Sequence, residues 1–256
     1  MKRFNFLFIF CAAFITGYAQ NTEFSISDAY QAKDMFAPPL SISSNKRYLV
    51  NADNKAVYLI GGTAWTMPEN CTRDDVDYYL NDRKDKGFNY VQIVAVRDLG
   101  PRQAIEDATK HGTMNPANRY GHRPFEWEGG KADVSNPIVV EGGSPAQPND
   151  YWDHLDYIVE KTYSMGMYLG LLPTWGKYYI NNNIREMRII DEPAAYDYGL
   201  FLGGRYRDHD HIIWILGGDV WNMEADKPDG SRPVYRKMAE GIAKGVTGNS
   251  LSLIHI

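Results

Sequence analysis

From about residue 40 the chain alternates unbroken apolar runs with longer stretches whose apolar positions recur every three or four residues. A short unbroken run suits a strand buried on both faces, and the longer spacing suits a helix that buries one face. Val57 to Gly61 is the first such run, followed by a loop at Thr63–Asn70. Val76, Tyr79, Leu80 and Arg83 then keep helical spacing. Thr72, with Asp75 three residues on, supplies a capping box to start that helix, and Gly87 stops it. Phe88 to Val96 is the next strand. Trp152, Leu155, Val159 and Thr162 mark a second helix, ended by Gly166 and followed by a strand over Met167 to Leu172. A third helix begins near Asp191, with Pro193 in its first turn, and runs through Tyr198, Leu202 and Tyr206. His211 to Leu216 is the strand after it, and Pro233 opens a fourth helix with Met238 and Ile242. Upstream, turn-rich segments at 43–46 and 52–55 bracket Tyr48-Leu49-Val50 and predict a short β-hairpin. Residues 20–39 are polar and irregular, a linker by composition.

Strand and helix alternate four times, which predicts an α/β fold with a parallel sheet covered by helices. A doubly wound sheet and a (β/α)8 TIM-type barrel both have this grammar. No Gly-x-Gly-x-x-Gly follows the first strand, and the conspicuous polar and aromatic clusters each sit just after a strand: Thr63-Ala64-Trp65, Arg97-Asp98, Thr174-Trp175 and Gly218-Asp219. Barrels build their sites from those strand ends, so the barrel is favoured. A complete one needs roughly 250 residues for eight units, and only about the first four β/α units fit here. The chain therefore reads as a C-terminally truncated barrel, with its partial domain at 40–250. Leu251 to Ile256 matches the translation of a sequencing-library adapter end and is read as an artefact, with an authentic short C-terminal strand as the alternative.

The first residues change the picture of where the protein works. Lys2 and Arg3, the apolar stretch Phe4 to Thr16 and the small residues Gly17 and Ala19 form a signal peptide over residues 1–19. Export to the periplasm or outside is expected, with no membrane association after cleavage. Losing Lys2 and Arg3 would move the formal charge from −5 to −7. With no basic stripe to meet phosphates, nucleic acid is not an expected partner. Only Cys71 remains after cleavage, so no intrachain disulfide is expected. The six His show no metal-binding spacing, and neither metal nor cofactor is expected. His209 and His211 read as residues entering a strand. Aromatic residues make up 13% of the chain, 18 of them Tyr, which fits either a large aromatic core or a surface for stacking sugar rings.

Among candidate chemical groups, Asp219 stands out. The apolar strand from His211 runs into Gly217 and Gly218 and delivers a carboxylate at the mouth of the fold. A helix N-cap or a structural ion pair is the alternative for it. Trp214 is mid-strand and structural, whereas Trp221 follows the carboxylate and could wall a sugar site.

The chain resembles the apiosidase-like glycoside hydrolases, glycoside hydrolase family 140 and its relatives, from about Leu40 to Gly245. The resemblance rests on seven ordered motifs: Arg47-Tyr-Leu-Val-Asn-Ala-Asp53, Gly61-Gly-Thr-Ala-Trp65, Arg83 with Lys86-Gly-Phe-Asn89 and Gln92, Tyr151-Trp-Asp-His-Leu-Asp156, Gly170-Leu-Leu-Pro-Thr-Trp-Gly176, Gly203-Gly-Arg-Tyr206, and Ile212-Ile-Trp-Ile-Leu-Gly-Gly-Asp219. Gly62 departs from the pattern, standing where many relatives carry Asp. The resemblance implies a (β/α)8 barrel that cleaves glycosidic bonds in pectin, with Asp219 as general acid/base and a glutamate after the seventh strand, beyond this chain, as its partner.

A glycosidic oxygen leaves poorly, so one carboxylic acid must protonate it while a second carboxylate attacks or stabilises the oxocarbenium-like centre. Retention of anomeric configuration is the expected outcome. Around Asp219 we expect Trp65, Trp175 and Trp221 as stacking walls and Gln92 as a hydroxyl-binding group, with core or barrel-interior packing as the structural alternative for each. Arg97 and Arg102 could pair with an anionic sugar, although solvated loop arginines are commoner. Glu126 and Glu128 lie in the long polar loop 100–149 and offer a remote alternative for the second carboxylate. The expected partner is an oligosaccharide or polysaccharide. A non-catalytic carbohydrate-binding protein on the same barrel is the rival reading, and the truncated chain alone is expected to be inactive.

Overall fold

The computed structural model describes residues 35–97, 99, 117–128, 131–176, 190–218 and 231–249. Short strands Ser41–Ile42 (β1), Leu49–Val50 (β2) and Ala56–Val57 (β3) pair antiparallel in that order. The expected hairpin is thus a three-stranded sheet. The apolar run Val57 to Gly61 is not one strand: it is split between β3 and a parallel strand, Gly61–Thr63 (β4). Buried Asn89 bridges the gap, its side-chain amide donating to Tyr58 O at 2.8 Å and its carbonyl accepting from Ile60 N–H at 2.7 Å. Those two bonds replace the strand pairing that a continuous run would have made.

A short helix Met67–Asn70 (α1) and the helix Arg73–Asp85 (α2) follow. The capping box is present as read: Thr72 accepts from Asp75 N–H, and the Asp75 carboxylate accepts from Thr72 N–H. Strand Tyr90–Val96 (β5) comes next, then an antiparallel ribbon of Phe125–Glu128 (β6) and Lys131–Pro137 (β7). The ribbon corrects the reading of 100–149 as loop throughout. It forms because Phe125, Ala132 and Val134 find burial. Helix Tyr151–Ser164 (α3), strand Tyr168–Thr174 (β8), helix Glu192–Arg205 (α4), strand Ile212–Trp214 (β9) and helix Arg232–Thr247 (α5) complete the order. Positive φ at Gly87 (83°) and Gly166 (65°) lets the chain turn out of α2 and α3, as their positions predicted.

β4, β5, β8 and β9 form one parallel sheet in that order, so each strand lies beside the one before it. A doubly wound sheet reverses its strand order at a switch point; no reversal occurs over these four strands. Val91, Ile93, Ala95, Leu169 and Leu171 are buried in one core with Val76 and Leu80 of α2 and Leu155, Ile158 and Val159 of α3. Alternation places Tyr90, Gln92 and Val94 on the other face. The register sets Gly61 and Thr63 on one side of them and Gly170 on the other. The Tyr90 ring fills that face, lying where a Cβ on Gly61 or Gly170 would overlap it. Burial pushes the Tyr90 phenol up to about 12.

The end of the stretch read as a linker, Met35 to Ala37, is held against the sheet. Tyr168 Oη donates to Met35 O at 3.1 Å, Ala52 N–H donates to Ala37 O at 2.8 Å, and Phe36 packs against Tyr163, Tyr168 and His211. Among the described residues no helix is long and apolar enough to cross a membrane.

Candidate active site

Parallel strands put their C-terminal ends on one rim, and the loops that leave that rim bring distant residues together. After β4 the chain stays pinned to β5: Ala64 N–H donates to Gln92 O at 2.8 Å and Val94 N–H to Trp65 O at 3.2 Å. Trp65 is thereby held at the rim. After β8 comes Trp175, and the two indoles meet edge to face with centroids 5.3 Å apart and planes at 72°. After β9 the backbone itself arrives. A Cβ on Gly218 would stand 2.6 Å from the Trp175 ring, so only glycine lets the chain lie this close to the indole. Gly217 makes a like approach to Tyr235 of α5, a Cβ there falling 2.7 Å from Tyr235 Oη, with φ at 94°. The two glycines before Asp219 are therefore contact surfaces, one on an indole and one on a phenol.

Trp65 and Trp175 are brought together, and both are half-buried. Gln92 is also half-buried, on the interior face two residues before Val94 and in register with Thr63 and Gly170. Asp219, Trp221, Asp98 and Arg102 lie outside the described residues, as does the side chain of Glu128. Glu126 is exposed on β6 while its neighbour Phe125 is buried against Trp152 and Tyr198. Arg97 is half-buried at the end of β5.

One rim residue escaped the sequence reading. Glu69, in α1, is buried, and its Oε1 accepts the Arg97 backbone N–H at 2.7 Å. Its carboxylate ties the Trp65 loop to the end of β5. A carboxylate in a four-residue helix gives no periodic signal, so only the fold reveals it. Thr174 is fully buried beside Trp175, and its hydroxyl finds no hydrogen-bond partner among the described residues. Among the described residues no group of three or more His, Cys, Asp or Glu could hold a metal ion.

Most placed aromatics serve the core. Phe125, Tyr151, Trp152, Tyr198 and Phe201 pack edge to face between the ribbon and the helices. Trp214 packs against the same helix-side core, as read.

A search of curated proteins finds no match for the chain. Solved structures do resemble it. A glycoside hydrolase family 5 protein from Bacteroides vulgatus is 29% identical with a TM-score of 0.63, the match covering 84% of this chain and 40% of that one. A second, described as a glycoside hydrolase, is 26% identical with a TM-score of 0.61 and the same two coverages. A third structure, also from Bacteroides vulgatus, shares the fold at 12% identity and a TM-score of 0.56, covering 85% of this chain and 38% of that one. The chain thus spans about two fifths of the length of the structures it resembles. The family profile described as apiosidase-like, catalytic domain, matches residues 43–256. A match over that much of the sequence places the chain in a family, and that family is the apiosidase-like catalytic domain.

Proposed function

We propose that this chain contributes the first strands and helices of a (β/α)8 barrel in an exported glycoside hydrolase that acts on plant cell-wall pectic glycans. The observation that carries the reading is the convergence at one rim of Trp65, Trp175 and the Gly217-Gly218 backbone that leads into Asp219. Two indoles supply flat apolar walls for sugar C–H faces, and the next residue along the β9 exit is a carboxylic acid. Family membership and the two hydrolase neighbours support the same chemistry.

In this reading Asp219 holds a proton for the departing glycosidic oxygen. That requires a pKa raised by burial or by a second, negative carboxylate. The second carboxylate comes from a strand beyond the four described here and stands about 5–5.5 Å away, the separation that suits retention through a glycosyl-enzyme intermediate. Gln92 would hydrogen-bond a sugar hydroxyl from the interior face. Residues 1–19 would direct export, placing the enzyme where polysaccharide is.

The test is hydrolysis of pectic oligosaccharides by the full-length protein and by Asp219→Asn, with products followed by NMR. Asp219→Asn is expected to lower kcat by about 10²–10⁴-fold while leaving saccharide binding in place. Saturable binding with no turnover in the unaltered protein would instead support the carbohydrate-binding alternative.

A further inference from the structure

Each of the four parallel strands is met by a tyrosine from the helix that follows it in its own β/α unit. Tyr151, the first residue of α3, donates its hydroxyl to Ala95 O of β5 at 2.7 Å. Tyr198 of α4 donates to Pro173 O of β8 at 2.9 Å. Tyr235 of α5 sets its hydroxyl against Gly217, just past β9, and Tyr79 of α2 sets its hydroxyl against Gly62 of β4, where a Cβ would fall 2.8 Å away. Tyr151 and Tyr198 are completely buried. A buried hydroxyl is expensive unless it is bonded, so these contacts fix where each phenol sits. In β5 and β8 the tyrosine bonds the backbone one residue before the strand end, and after β9 it approaches the backbone three residues past it. Those ends carry Arg97, Trp175 and Gly218.

We propose that Tyr198 is a positioning residue for the sugar-binding wall: by holding the Pro173 carbonyl it sets the end of β8 from which Thr174 and Trp175 project. This rests on the reading of Trp175 as a stacking wall. The carbonyl of Pro173 lies two residues before the indole, and the indole has a tight frame, with the Trp65 ring on one side and the Gly218 backbone against it. A small tilt of β8 at Pro173 would therefore move Trp175 off one neighbour or into the other. Tyr151 supplies the control, because it makes the same kind of bond to a strand that ends in arginine rather than tryptophan.

The experiment compares Tyr198→Phe and Tyr151→Phe in the full-length protein. Two indoles this close couple their transitions and give a paired circular dichroism signal, which Trp65→Phe identifies by removing it. Both tyrosine variants should lower Tm by similar amounts, about 2–4 °C, since each loses a buried hydroxyl bond. Only Tyr198→Phe should also cut the paired Trp signal by roughly half and weaken binding of a pectic oligosaccharide fraction about fivefold. If both variants leave the Trp signal intact, or both reduce it equally, Tyr198 is structural and the inference is overturned. If no form of the protein binds the oligosaccharides, the proposed function fails, and the Trp signal alone decides the positioning role.

Discussion

Two fully buried histidines set how the molecule should respond to acid. His154 lies in α3, fully buried, with its ring edge-on to Tyr120. Burial, then the nearby Arg73 charge, lowers its pKa to about 4. His211, at the entry to β9, has Nε2 3.1 Å from Thr162 Oγ1 and is lowered to about 4 by burial and then by His209. Both fold as neutral rings. Between pH 6.5 and 4 the unfolded chain therefore binds protons that the folded chain refuses, and stability falls as pH falls through that window. Each site is worth on the order of 3 kcal/mol across it. Urea unfolding at pH 7, 5.5 and 4 should show midpoints dropping steeply; equal midpoints would mean that the histidines are solvated. None of this was visible in the sequence, where His154 is one letter in a helix and His211 one at a strand's edge. Asp219 stands out in the sequence for the opposite reason, since two glycines ahead of a carboxylate break the apolar pattern of a strand, and its role stays with the proposed function.

At the scale of elements, α4 and α5 cross with backbone against backbone. A Cβ on Gly199 would stand 2.5 Å from Met238 O, and those on Gly203, Gly241 and Gly245 would overlap the facing helix's backbone. Gly204 faces open space. Adjacent glycines should thus respond with opposite signs. Gly203→Ala is expected to destabilise by about 1–3 kcal/mol through overpacking. Gly204→Ala should stabilise by roughly 0.5–1 kcal/mol, because alanine is the better helix former. Thermal melts of the two variants check the pair, and loss of stability in both would place the helices differently.

The same crossing explains why Gly203-Gly-Arg-Tyr206 forms a motif. Gly203 admits α5, and Arg205 reaches Asp156 with two bonds of 2.8 Å that join α4 to α3. Helices and capping residues were readable because their periodicity and end signals are local. The splitting of Val57 to Gly61 between two sheets was not, since a five-residue apolar run has no period that distinguishes one strand from two. The ribbon of β6 and β7 was hidden for a like reason: its apolar residues gain their meaning only from the helices they cover.

For the whole molecule, the sheet among the described residues is open, with one free edge on β4 and another on β9. An unpaired strand edge is a template for another strand. Residues 20–256 produced alone are predicted to form oligomers at micromolar concentration, each open edge pairing with a strand of another copy. A monomer in ultracentrifugation would refute this. The α/β class was readable in the sequence, since strands and helices alternate in unmistakable order. Sheet order was not, as nothing local states which strand lies beside which. That order has a consequence for how the chain comes into being. Among the described residues each parallel strand after the first docks on a parallel strand synthesised earlier, so β5, β8 and β9 each meet a partner that is already made. The sheet can grow in the direction of translation, each new β/α unit finding its template already in place.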